Sequence, residues 1–337
     1  MQNNSPKKIK NILDISSNAY GCTYDNTFLL FKSSKEIFYL IYSTLTRSII
    51  SYDISNKNKN QFFCEIKNAH DDYIDNFRYS YDSKNKRDLI LSLSSGNNII
   101  KIWNLKNWEC ILDIKNIYKY GSILSSCFLL DERLNYNYIV ICNFFMYNIK
   151  LIDISQKEEK NQIIESEINT YLFIDTYYDI DQSKYYIITG NNCNVNSYDV
   201  SQKSLYRTYE TVNSTNHKTA QVFSDSKKIV KIFFPSKEGY ILIFNFHSGE
   251  MINKILCGNN NTILIGFCLW DENFAFTGGN NKNLILIDLN EGKVIKEFKE
   301  HKQWIYSIKT IKHNSLGQIL VTHGLDNKIK LWMIHIE

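Results

Sequence analysis

Residues 321–337 read VTHGLDNKIKLWMIHIE: two apolar, strand-like runs joined by a polar turn, closing the sequence. Third strands of this kind, YILIFNF and LILIDL upstream among them, carry apolar residues on both alternating faces, which is how a strand buried on both sides reads. Within these residues no further strand pairs with the far edge of the second run, KIKLWMIHI.

The same phrase recurs upstream. Strand endings SIISYD, IIKIWN, NIKLID, NVNSYD, YILIFN, LILID and IKLWM finish on Asp53, Asn104, Asp153, Asp199, Asn245, Asp288 and Met333. Their spacing runs from 43 residues (Asn245 to Asp288) to 51 (Asp53 to Asn104). Length alone would suggest about two ordinary domains, but a period this regular points to one array of similar units.

Each unit resolves into four strands. In the second they are YIDNFRY, DLILSLS, NIIKIWN and ECILDIK, separated by KNKR, SGNN and KNW, whose Gly and Asn suit tight hairpins. A sandwich leaves one face of each sheet wet and shows cleaner alternation. Radially stacked four-stranded blades cover both faces of their middle strands. With 2 Pro, 23 Tyr, 19 Phe and no long segment of helical period, the expected fold is an all-β, seven-bladed β-propeller spanning residues 1–337.

The last unit supplies WIYSIKT, GQILVT and KIKLWM, one strand too few. KNILDIS at 10–16 has no unit of its own and echoes CILDIKN at 110–116. The expectation is that residues 9–16 form the outer strand of the last blade and close the ring, with residues 1–8 a flexible tail. Closure would remove an exposed edge.

The unit KEHKQWIYSIKTIKHNSLGQILVTHGLDNKIKLWM resembles a WD repeat. The resembling positions are His301 ahead of the first strand, Thr322 in the second, Asp326 in the turn and Trp332 in the third. The second unit is similar more loosely, with His70 and Trp103 in place, Asn97 at the Asp position and Leu93 where Ser or Thr is expected. The sixth keeps Thr277, with Asn281 for Asp and Ile287 for Trp. The resemblance implies that these residues form a hydrogen-bonded chain that fixes a blade, a structural role. It also places partner contacts on one rim, three and five residues after the His. Those positions are Trp304 and Tyr306 in the last blade, Tyr73 and Asp75 in the second.

Large aromatics on a rim bury much area with few rotors to freeze, although rings there also pack between blades. The expected function is a non-catalytic scaffold or adaptor docking peptides or proteins. A chromatin-reading or ubiquitin-ligase substrate-recruiting subunit, with an acidic or aromatic-caged pocket, is the alternative. An enzyme would need convergent carboxylates or His at the central channel.

Charge and motifs exclude several classes. Basic and acidic residues number 39 and 35, and a net charge of +4 is no footprint for nucleic acid or a membrane surface. The basic clusters PKKIK, NKNKN (56–60) and SKNKR (83–87) read as solvated loops. No run approaches the roughly 20 apolar residues of a membrane span, and MQNNSPKKIKN has no signal-peptide core, so the expected compartment is the cytoplasm or nucleus. The 8 Cys form no CxxC pair and read as buried free thiols.

Phosphate loops, HExxH, GxSxG and a complete calcium loop are absent from the sequence. Asp175, Asp179 and Asp181 lack the Gly and Glu of a calcium loop and read as a solvated turn. His217, His247, His313, His323 and His335 match no zinc spacing. No cofactor, metal or small-molecule substrate is expected.

Overall fold

The computed structural model describes residues 6–16, 28–55, 61–115, 121–143, 148–155, 162–165, 172–191, 193–210, 219–259 and 261–336. They form 28 strands in seven four-stranded antiparallel sheets, the blades of a propeller ring. Six blades use consecutive strands, within residues 28–66, 76–114, 123–165, 173–209, 221–256 and 264–298. The second blade comprises Asn76–Asp82, Arg87–Ser94, Ile99–Asn104 and Glu109–Ile114, from the inner strand outward.

Period-two alternation in the middle strands builds the ring. In the second strand of blade 2, Leu89, Leu91 and Leu93 pack on Ile123, Phe128, Ile139 and Ile141 of blade 3. Ile90, on the other face, joins Trp103 and Phe77 against Tyr39 and Ile41 of blade 1. The pattern repeats so that each of the seven interfaces between neighbouring blades has its own apolar cluster. Each fully buried Leu or Ile contributes about 1.5–3 kcal/mol. The outer strands are wetter, and Glu109–Ile114 is half-buried at most.

The repeat markers have a structural meaning. Asp53, Asn104, Asp153, Asp199, Asn245 and Asp288 each end a third strand, and the side-chain Oδ1 of each accepts the backbone N–H two residues on, at 2.8–3.1 Å. This Asx turn starts the hairpin into the outer strand. Met333 is the marker without a carboxylate or amide, and the last blade has no hairpin there to start.

That blade is completed from the other end of the chain. Ile305–His313, Gly317–Gly324 and Lys328–Ile336 are joined by Pro6–Ser16, which pairs antiparallel along Lys328–Ile336 with Leu13 opposite Leu331 and Ile15 opposite Ile329. A bulge between Asn11 and Leu13 is held by Asn11 Oδ1, which accepts the Leu13 N–H at 3.0 Å. Ile15 buries itself beside Ile319, Val321 and Phe28 at the seam between the last blade and the first. His313 Nε2–H donates to the Ile54 carbonyl across that seam at 3.0 Å, while Nδ1 accepts the Ser315 and Leu316 amides.

The closing strand begins at Pro6, earlier than the expected residue 9, so PKKIK is strand where a loop was expected. The pairing needs only backbone groups on the edge of the last strand, so its length follows that strand, not the hydrophobic pattern. NKNKN and residues 1–5 lie outside the described residues.

Removing residues 1–16 should lower the melting temperature or cause aggregation, read by thermal denaturation and light scattering. A soluble truncation melting with the full chain would contradict this closure.

Candidate binding rim

The residues expected to fix the last blade come together. Trp332 Nε1–H donates to Thr322 Oγ1 at 3.0 Å, which places the Thr322 hydroxyl hydrogen on His301 Nε2 at 2.8 Å. His301 Nδ1–H then reaches Asp326 Oδ1 at 3.0 Å, so the chain of donors selects one tautomer. Burial alone would push the Asp326 carboxyl up. Hydrogen bonds from His301 and from the Lys302 and Lys328 amides outweigh it and hold the pKa at about 2. Gly324 makes this contact possible, because a Cβ there would lie 2.4 Å from His301 Nδ1 and 2.7 Å from Asp326 Oδ1.

Blade 2 keeps only half of the chain. Trp103 Nε1–H donates to Ser92 Oγ at 2.8 Å, and Ser92 Oγ lies 2.7 Å from His70 Nε2. The hydroxyl position is therefore Ser92, not Leu93. A one-residue slip on a strand reverses the face, and Leu93 points into the blade 3 interface. Asn97 does not replace the carboxylate: its side-chain atoms and His70 Nδ1 are buried with no partner among the described residues. In blade 6, Thr277 Oγ1 donates instead to the Gly266 carbonyl at 2.8 Å.

One lysine joins each network. Lys330 Nζ donates to the Glu300 carbonyl just before His301, and Lys101 Nζ to the Ala69 carbonyl just before His70, at 2.8 Å for Lys101. Each ammonium also lies over its tryptophan, at 5.6 Å for Lys330 and 5.9 Å for Lys101. The shared tripeptides KLW and KIW were the available signal.

Expected partner-contact residues divide by burial. Tyr306 is 4% exposed, and burial pushes its hydroxyl pKa up. It follows Ile305 into the packed inner strand, with its ring 6.2 Å from that of Trp304. Asp75 is 7% exposed, and its Oδ2 accepts the Ser95 amide at 2.8 Å and the Ser95 hydroxyl. It secures the turn between the second and third strands of its blade. Trp304 and Tyr73 remain half-exposed on one rim, in blades 7 and 2, on either side of blade 1. The Trp304 carbonyl accepts the Leu325 N–H at 2.8 Å, fixing the main chain beneath the ring.

Inner strands of blades 4 to 7 border a central cavity of about 420 Å³ that includes Asp175, Tyr177, Gln221, Asp271 and Thr310. Its threonine hydroxyls are structural: Thr176 donates to the Phe128 carbonyl and Thr310 to the Leu269 carbonyl, both at 3.1 Å, tying each inner strand to the blade before it. The Arg78 guanidinium crosses from blade 2 to the Ile174 carbonyl of blade 4 at 2.9 Å.

The expected solvated turn at Asp175, Asp179 and Asp181 is only partly so. Asp179 is buried, its Oδ1 accepting the Gln182 amide and its Oδ2 3.1 Å from His247 Nε2. A buried carboxylate caps the turn here, as Asp82 and Asp131 do in their blades, and the half-buried Asp225 does the same in its own. Among the described residues no cluster of His, Cys, Asp and Glu could hold a metal. Cys127, Cys142, Cys257 and Cys268 are buried as expected, whereas Cys110 and Cys193 are exposed. Cys22 and His217 lie outside the described residues.

The chain matches no protein-family model and no curated protein.

Thr322→Val should cost about 1–3 kcal/mol in urea denaturation, since it strands His301 Nε2 and Trp332 Nε1 in the interior; an unchanged midpoint would remove the network's role. Acid should act through buried histidines. Burial, then Lys101, lowers the His70 pKa from 6.5 to about 3, and burial, then His301, lowers that of His323 to about 4. Both take a proton near pH 6.5 when unfolded and refuse it when folded, so stability is full above pH 6.5 and declines toward about pH 4. Asp326 adds a loss only below its unfolded value of 3.8. Urea midpoints measured across this range should fall steadily; a flat profile would contradict the assignment.

Proposed function

We propose that the chain is a WD-repeat-type propeller acting as a non-catalytic scaffold or adaptor in the cytoplasm or nucleus. Peptide or protein partners dock on the rim bearing Trp304 and Tyr73. A ring of stacked blades commonly serves this way, because its rims present varied side chains on a rigid frame and little order has to be imposed on binding.

One observation carries the reading. Trp304 is held at its main chain by the Leu325 amide, next to the hydrogen-bonded His301–Asp326 pair, and the residue is only partly buried. A large, pre-oriented aromatic is the kind of group that anchors an interface. The two threonine hydroxyls at the central cavity, Thr176 and Thr310, are committed to backbone carbonyls of neighbouring blades and serve to tie the ring. Burial of Asp75 takes away the acidic wall that recognition of a basic, chromatin-type peptide would use.

Affinity purification of the tagged chain should be compared with a Trp304→Ala, Tyr73→Ala variant. Loss of partners with an unchanged melting temperature is the expected result; the same partners on the folded variant would rule out this rim. Tyr306→Ala is unsuitable, because it opens a cavity in the inner strand.

A further inference from the structure

The opposite rim carries a second surface. It is formed by the turns from inner to second strands and from third to outer strands, at the other end of each blade from Trp304 and Tyr73. Between blades 1 and 2, the turns at 33–37, 83–86 and 105–108 enclose a cleft of about 420 Å³. Lys35, Lys86, Arg87 and Lys106 stand around it, with Tyr39 and Phe63 among its walls.

The acidic groups of the cleft are already committed. Asp88 is buried and accepts the Ser34 amide at 2.9 Å, the Ser34 hydroxyl at 2.6 Å and the Tyr79 hydroxyl at 2.7 Å. Asp82 takes Arg87 Nε at 2.9 Å and caps the 83–86 turn. Among the described residues Lys35, Lys86 and Lys106 form no ion pair, and all three are exposed.

Phe63 is 48% exposed. Its ring sits edge-on to Tyr39 at 5.5 Å and 6.4 Å from Trp108, an apolar platform in a cleft that four cations also line.

We infer that this cleft docks an acidic, extended segment of a partner protein that carries an apolar side chain. Carboxylates would face Lys35, Lys86 and Lys106, and the apolar side chain would cover Phe63. An inorganic anion would leave Phe63 bare. A nucleic acid strand calls for a basic stripe, whereas these cations converge on one cleft of a nearly neutral chain. The surface is independent of the Trp304 rim.

Fluorescence anisotropy with a labelled Glu/Asp peptide bearing a central Leu-Leu tests the inference on the full chain. The peptide should bind, more weakly as salt is raised, and Lys86→Glu with Lys106→Glu should cost at least about tenfold in affinity. Phe63→Ser should weaken it several-fold, and Trp304→Ala should leave it unchanged, all variants keeping the wild-type melting temperature. The inference is overturned if the wild type does not bind the peptide, if charge reversal leaves binding intact, or if a peptide with Ser in place of every acid binds equally. It is also overturned if a single-stranded oligonucleotide binds the cleft more tightly than the acidic peptide.

Discussion

Burial of both faces of every blade's middle strands is the constraint from which the rest of the structure follows. Leu89, Leu91 and Leu93 cannot be satisfied within blade 2, nor Ile90 on the opposite face, so each blade needs a neighbour on either side. A linear stack would leave two such faces in water at its ends. Bending the array into a ring turns those faces toward each other, at the seam lined by Phe28, Leu40, Val321 and Leu331. Pairing Pro6–Ser16 with Lys328–Ile336 then clamps the seam with backbone hydrogen bonds as well as side chains.

Polar networks add definition where the apolar stacking is generic. The Trp332–Thr322–His301–Asp326 chain is complete in blade 7 and stops at His70 in blade 2. The two turns differ in residues: blade 7 has Asp326 and places Gly324 where a side chain would collide with the His–Asp contact, while blade 2 has Asn97, unpaired among the described residues, and Ser94 at the matching distance from Ser92. Other blades hold their shape by packing and by the Asx turns at their strand ends. The two rims consequently differ in character. One presents Trp304 and Tyr73 beside these networks, and the other presents lysines on short hairpin turns around Phe63.

Most of the fold was legible because its determinants are periodic. Asp53, Asn104, Asp153, Asp199, Asn245 and Asp288 recur since every third-to-outer hairpin needs the same Asx turn, and Met333 breaks the series where no hairpin follows. Much less of the candidate sites could be read. Leu93 and Ser92 are one residue apart and on opposite faces, and only the strand register separates them. Tyr306 and Asp75 stand at the positions expected of rim contacts, yet depth within the inner strand and the Ser95 turn decide that both are buried. SKNKR reads as a solvated loop, and residues 83–86 are an exposed turn, but the turns it faces across the cleft are not written in it.

By itself the sequence determined the number of blades, their strand order and the donation of an N-terminal strand to the last blade, because period, alternation and turn chemistry are local and repeat along the chain. Only the tertiary structure decided which side chains meet. Lys35, Lys86 and Lys106 come from separate turns and converge because blades 1 and 2 are packed side by side. Trp304 and Tyr306 differ in exposure because one precedes the inner strand and the other lies within it, inside the packed ring. Convergence and burial are properties of distances between segments remote in sequence, and no local pattern encodes them.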